Sequence, residues 1–592
     1  KQSIFASPAW TPDGQYVIVS RQTQLPWGAF ELWIYHVQGG SGVQITKAKP
    51  KPDALPDQWF NAVGAVASPD GKYIYYTHRD KDFNPYNVTY PLSQIVRRNR
   101  VTGDEDTITN AIGSAIRPVL SPDGTLLVYG TRYEAQTGLR IRDLNSGEER
   151  WLKFPVEHDD QESRYTRDFL PGYAFTPDGK DVVVAYRGKI HRVSAATGAA
   201  RDIPFTARVS RELGPDLTLA LRVDEGPVQV RVVQNPTQSP DGQRLAFSAL
   251  THLYTMDLPA GAPTRVTSGP AREFQPAWSP DGQWLAYVTW SREGGQIWRV
   301  RADGKSAPQQ LTRVPAYYRD PVWSPDGARI VALREPRLEH IERPADFGMG
   351  PNTDLIWLPA EGGDAKLILP ARGAGKPHFG PEKERIYVYT AAGLISLRYD
   401  GTDRRTHLKV VGKVWFPSPD TEQGAPADDV RISPDGQWAL AAVSHQVYVV
   451  ALPRMGGEPP SVNVYTPSVP VKKLSDVGAD YMAWGDGGST VTWAVGSTFF
   501  RQPLSTVSFE PEKKPDEETK EKEEEKAASD EKPETKSTKK AGQKKSAAKR
   551  KASGREENKE GEAKKEEKKS LAQEIPVSIE QPRHRPTGVV VL

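Results

Sequence analysis

Gln275-Pro276-Ala277-Trp278-Ser279-Pro280-Asp281-Gly282-Gln283-Trp284-Leu285-Ala286-Tyr287 reads as strand, turn, strand. In the central tetrapeptide proline presets φ for the first turn position, aspartate bonds the backbone two residues on, and glycine takes the position with φ > 0. Further along, Gln296-Ile297-Trp298-Arg299-Val300 predicts a third strand, Ala302-Asp303-Gly304 a second turn, and Gln309-Gln310-Leu311-Thr312 a fourth strand. Four antiparallel strands joined by tight turns make one blade of a β-propeller.

Ser/Thr-Pro-Asp-Gly recurs eight times, beginning at Thr11, Ser68, Ser121, Thr176, Ser239, Ser279, Ser324 and Ser433. Two worn copies, Gly380-Pro381-Glu382-Lys383 and Gly485-Asp486-Gly487-Gly488, keep the spacing and bring the repeats to ten. Successive starts lie 40 to 63 residues apart, the range of propeller blades rather than of helical solenoids, which repeat at roughly 33 to 47. An aspartate at one identical turn position per repeat (Asp13, Asp70, Asp123, Asp178, Asp241, Asp281, Asp326, Asp435) is accounted for by turn geometry, not by acid–base or metal chemistry. Trp10, Trp278, Trp323 and Trp484 fall at equivalent places on the entering strand, where one blade packs on the next. The fold class expected is therefore all-β, with tandem propellers of four-stranded blades.

Composition narrows the chemistry. The 592 residues include no cysteine, which removes disulfides, thiolate metal sites and a cysteine nucleophile. No apolar run approaches the roughly 18 residues of a membrane helix. The formal charge of +3 arises between Pro511 and Ser570, where 20 Lys/Arg face 17 Asp/Glu. The rest of the chain is neutral and carries no electrostatic footprint for nucleic acid. Residues 511–571, rich in Lys and Glu and poor in aromatic and β-branched residues, are expected to be disordered. Within them Lys539 to Lys551 holds seven basic and no acidic residues, read as solvated linker.

Catalytic signatures are missing. No two of the ten histidines stand at His-x-His spacing, and there is no His-Glu-x-x-His or Gly-x-Ser-x-Gly. Gly39-Gly40-Ser41-Gly42 reads as a turn, as does Gly373-Ala374-Gly375-Lys376, which lacks the upstream glycine and the helix of a phosphate loop. Asn87-Val88-Thr89 matches a glycosylation sequon. Three long inserts, His78 to Leu92, Pro155 to Asp168 and Arg334 to Asp354, are rich in Arg, Asp, Tyr and Phe, and such loops at propeller rims carry recognition. No catalytic, cofactor-binding or metal-ligating residue is assigned.

The Pro276–Gly282 unit, its third strand and its Leu-Thr ending resemble the TolB-type, WD-like propeller repeat. The segments Glu31 to Gln44, Pro171 to Gly179 and Asp403 to Leu408 further resemble the propeller region of exported bacterial amidohydrolase-family proteins. The resemblance covers residues 1–510 and 572–592. It implies a non-catalytic scaffold that gates substrate or binds protein, a periplasmic or secreted location, and a downstream hydrolase domain holding a divalent metal such as zinc. Expected partners are that domain or another protein, with no nucleic acid and no membrane span. A free-standing TolB-like binding scaffold remains open, as does the propeller region of a prolyl-oligopeptidase-like or tricorn-like peptidase.

The longest interval, 63 residues, divides the repeats four plus six. The expected domains are a first propeller over 1–203, read as incomplete; a crossover over 204–232; a second propeller over 233–510, closed by 572–580; and a lead-in to an absent catalytic domain over 581–592. A single ten-bladed ring is the alternative. The resemblance further implies that both ends of the parent protein lie beyond Lys1 and Leu592.

Overall fold

The computed structural model describes residues 4–22, 29–49, 51, 54, 59–80, 93–134, 136–158, 172–211, 226–342, 353–412, 424–453, 458–509 and 571–581. The sequon, the inner parts of the three long inserts, residues 511–570, the middle of the crossover (212–225) and all of the lead-in except Gln581 lie outside them.

The described residues form ten blade-type antiparallel sheets in chain order. Blades 1 to 4 are built on the hairpins Ile4–Trp10 with Tyr16–Gln22, Phe60–Ala67 with Tyr73–Asp80, Ile116–Leu120 with Leu126–Tyr133, and Tyr173–Phe175 with Asp181–Tyr186. Blades 5 to 7 begin with Gln234–Gln238, Glu273–Trp278 and Tyr317–Trp323. Blades 8 to 10 begin with His378–Phe379, Asp429–Ile432 and Asp480–Gly485. The first and second strands of each blade pair across the repeated tetrapeptide. Blade 8 differs, because its fourth strand, Arg405–Gly412, also pairs with Ala425–Pro426 and, in parallel, with Ser461–Asn463. Blade 10 takes its fourth strand, Gln573–Pro576, from beyond residues 511–570.

All eight tetrapeptides close in the same way. Ser279 Oγ donates to Asp281 Oδ1 at 2.5 Å, the Gln283 N–H donates to the same carboxylate oxygen, and the Trp284 N–H donates to Ser279 Oγ. Across the series the hydroxyl–carboxylate distance is 2.5 to 2.6 Å. The turn glycines sit at φ +65 to +75°, where a side chain would be strained. Each hydroxyl except that of Thr176 is buried, while the aspartates face solvent.

The turns also touch their neighbours. A Cβ on Gly124, Gly179, Gly282, Gly327, Gly436 or Gly488 would contact a proline in the turn of the preceding blade, respectively Pro69, Pro122, Pro240, Pro280, Pro381 and Pro434.

Apolar side chains on both faces of the sheets interdigitate between consecutive blades. Ile18, Leu32, Ala62 and Tyr76 join blades 1 and 2. Tyr75, Ile95, Leu127 and Tyr129 join 2 and 3, and Val128, Ile141, Val182 and Val184 join 3 and 4. The pattern repeats through blades 5 to 10, and Phe247 and Tyr254 of blade 5 pack with Ala494, Phe499 and Ile575 of blade 10. Val228–Gln229 pairs with Glu580–Gln581 beside this junction.

The equivalent tryptophans diverge in one place. Trp278 and Trp323 are 8% and 6% exposed, and their indole N–H groups donate to Thr237 O and Ala277 O on the preceding blade. Trp484 donates likewise to Arg431 O. Trp10 is 62% exposed. The two series of blades meet where Arg337, on the short helix Arg337–Glu342, pairs with Glu134 at 3.2 Å and with Glu293 at 3.4 Å.

Three outcomes follow for stability. The Ser or Thr hydroxyl first, then the backbone N–H, holds Asp13, Asp70, Asp123, Asp178, Asp241, Asp281 and Asp326 below the usual carboxylate pKa. Their contribution is present above the unfolded value of about 3.9 and is lost as pH falls through the lowered folded values. Acid unfolding followed by circular dichroism should therefore steepen below about pH 4, and S279A should cost about 1 to 3 kcal/mol by leaving the Trp284 N–H unpaired. Trp10→Phe should shift the denaturation midpoint far less than Trp278→Phe, because only the latter deletes a bond between blades.

Candidate functional site

The first strands of most adjacent blades run side by side, so they are the innermost strands and line the propeller axis. Most of them carry a β-bulge with one residue in the left-handed region: Ser7, Gly64, Arg117, Asn235, Gln275, Asp320 and Tyr481. A bulge re-aims a side chain, and non-glycine residues at positive φ are held there only by their surroundings. The repeat thus delivers a variable polar residue to the same place in successive blades.

In blades 5 to 10 cross-blade bonds tie this region together. Trp278 to Thr237 O links 5 and 6. The Asp320 N–H donates to Gln275 Oε1 at 2.7 Å, linking 6 and 7, and Arg319 Nη2 donates to Ala374 O at 3.0 Å, linking 7 and 8. The Ile432 N–H donates to His378 Nε2 at 3.0 Å, linking 8 and 9. Arg431 donates to Met482 O, linking 9 and 10. Gln238 Nε2 donates to Asp486 Oδ1 at 2.5 Å, linking 10 and 5.

His378 accepts at Nε2 and meets Lys376 O with Nδ1 at 3.0 Å, an arrangement that requires the neutral ring protonated on Nδ1. Burial lowers its pKa to about 4, with the Lys376 carbonyl and Asp429 opposing. Asp429 is committed to Arg431 Nε and Nη2 at 2.9 and 2.8 Å. Asp320 lies 3.5 Å from Arg319 Nη1. Lys376 follows a turn closed by the Ala374 N–H on Ala371 O, in which Gly373 has φ +67°. Gly375 brings this loop against blade 9, since a Cβ there would collide with Asp429 Oδ1.

The residues weighed from sequence are distributed otherwise. Gly39, Gly40 and Gly42 form the turn between the third and fourth strands of blade 1, all at positive φ. The histidines are spread over different blades; His191 pairs with Asp202 at 3.0 Å, His252 with Glu273 at 3.7 Å and His340 with Glu335 at 2.7 Å. Among the described residues no three His, Asp or Glu side chains converge as a metal-ligand set. Of the axial residues, Lys376 was weighed from the sequence only as the end of a phosphate-loop candidate read as a turn, Gln275 only as part of an entering strand, and Asp320, Asp429 and Arg431 were not singled out. The available signal was the polar break inside an otherwise apolar entering strand, as at Gln275-Pro276 and Asp320-Pro321.

The TolB beta propeller domain family matches residues 229–344. An uncharacterized protein of Agrobacterium fabrum strain C58 is 44% identical over 73 residues, which are 12% of this chain and 25% of that protein. The match thus spans a quarter of the relative's length. Among solved structures, a putative TolB from Agrobacterium tumefaciens aligns at 20% identity over 45% of this chain and 85% of its own, with a TM-score of 0.20. TolB from Acinetobacter baumannii aligns at 15% identity over 67% and 83%, with a TM-score of 0.21. The tricorn protease aligns at 13% identity over 85% and 57%, with a TM-score of 0.28. The chain contains a TolB-like β-propeller, and no helix among the described residues is long and apolar enough to cross a membrane.

A histidine whose folded pKa lies below its unfolded value supports the fold fully above about pH 6.5 and loses that support as pH falls through about 4. Comparing chemical denaturation of the native chain with His378→Gln at pH 7.5 and pH 5 should show the native chain losing about 2 kcal/mol more than the variant.

Proposed function

We propose that this chain is the non-catalytic β-propeller region of an amidohydrolase-family hydrolase, serving as scaffold, substrate gate or protein-binding surface. The observation that carries the reading is the bonded polar axis of blades 5 to 10, where every neighbouring pair is tied together by a hydrogen bond involving a polar side chain. A rigid ring with a polar axis suits selection of what passes or docks, and none of its groups is arranged as nucleophile and base.

In this reading residues 233–510, with 572–580, close a six-bladed ring, and residues 1–203 form an open arc joined through 204–232. The exposed Trp10 supports the open arc, because its counterparts are covered by a preceding blade. The face of blade 1 therefore suits another blade-type sheet that presents a main-chain carbonyl to the indole. A periplasmic or secreted location accords with the absence of cysteine. The hydrolase assignment rests on the resembling segments Glu31 to Gln44, Pro171 to Gly179 and Asp403 to Leu408.

The purified chain should hydrolyse neither amide nor ester substrates with added zinc. Turnover abolished by a chelator would overturn the non-catalytic reading.

A further inference from the structure

Lys376 stands beside the axis of the second series without a direct ion pair among the described residues. It is enclosed yet retains accessible surface, and Arg431, Asp320 and Asp429 from the two flanking blades are close enough to act on it electrostatically. Both carboxylates are already engaged. Asp429 gives Oδ2 to the Arg431 guanidinium and Oδ1 to the Val430 N–H. Asp320 faces Arg319 through Oδ2 and Gln275 Nε2 through Oδ1. Among the described residues Nζ of Lys376 has no hydrogen bond or ion pair. Each carboxylate thus has an arginine of its own, Arg431 for Asp429 and Arg319 for Asp320, while Lys376 has none of its own.

We infer that Lys376 binds one carboxylate group of a ligand entering along this axis, the chemical class being a monocarboxylate such as the C-terminus of an extended peptide. The inference deepens the protein-binding reading given above and rests on it. One ammonium without a direct partner matches one carboxylate. A phosphate dianion is a poorer fit, because the arginine forks that would grip it are spent on Asp429, Met482 O and Ala374 O. An ammonium held in an enclosed place without a counter-ion is costly, and a bound carboxylate removes that cost.

Burial, and then the Arg431 charge, push the lysine pKa down against the pull of Asp320 and Asp429, the direction expected of a cation short of a partner. The loop is built to place this group. Gly375 allows the approach to Asp429, its N–H donates to Tyr389 O at 2.9 Å, and His378 holds Lys376 O from the adjoining strand.

The test uses the whole chain and three probes: N-acetyl-alanyl-alanine, its C-terminal amide, and inorganic phosphate, each titrated by calorimetry at low salt. The acid should bind at least tenfold more tightly than the amide and more tightly than phosphate. Lys376→Gln should lower affinity for the acid at least tenfold while circular dichroism and the melting temperature report an intact fold. Equal binding of acid and amide in the native chain overturns the inference without reference to any variant. So does undiminished binding by Lys376→Gln, phosphate binding without carboxylate binding, or no binding by any probe. None of these results touches the hydrolysis assay, so failure here and failure of the non-catalytic reading remain distinguishable.

Discussion

A four-stranded sheet with apolar side chains on both faces must be covered twice. One blade cannot do this for itself, and the structure depends on that constraint throughout. Ala246, Leu253 and Val266 of blade 5 meet Trp278, Leu285 and Tyr287 of blade 6, whose opposite face carries Ala286, Val288 and Ile297 towards blade 7. Burial of this kind, at about 25 cal/mol per Å2 of apolar surface, supplies the cohesion. Directional bonds set the angle, through tryptophan N–H groups reaching a preceding carbonyl and turn glycines lying against a preceding proline.

Two devices share the work within a blade. At one end the hydroxyl–aspartate turn closes the first hairpin and spends its polar groups on itself, which leaves the aspartates without other chemistry. On the inner strand the bulge does the reverse, turning out a side chain that the sheet does not need. The turn is uniform because backbone geometry selects it. The bulge residue varies, from Ser7 to Arg117, Asn235, Gln275, Asp320 and Tyr481, because only the environment of the axis constrains it. Variation at a fixed geometric position is how a repeated scaffold acquires a specific surface.

Much of the blade architecture was legible in residue order. Ser279-Pro280-Asp281-Gly282 forms its turn for the reasons that proline, aspartate and glycine impose locally, and the strands Trp284–Thr289 and Ile297–Arg301 follow from apolar runs bounded by turns. The axis was far less legible. Gly373-Ala374-Gly375-Lys376 reads as a turn, and residues 372–373 are indeed a turn, but nothing local says that the next lysine will lie near Asp320 and Asp429, more than 50 residues away on either side. Trp10 shows the same limit. Its strand context equals that of Trp278, yet one is exposed and the other buried.

By itself the sequence determined the blade: its strands, its turns and its recurrence, because those arise from contacts within a few residues and from propensities that repeat with the motif. Tertiary structure alone decided which blades touch, which tryptophan is covered, and which charges are answered by a partner. Those outcomes depend on surfaces far apart in the chain. Asp429 meets Arg431 on its own strand, whereas Lys376, drawn electrostatically towards Asp320 and Asp429, has no direct ion pair among the described residues.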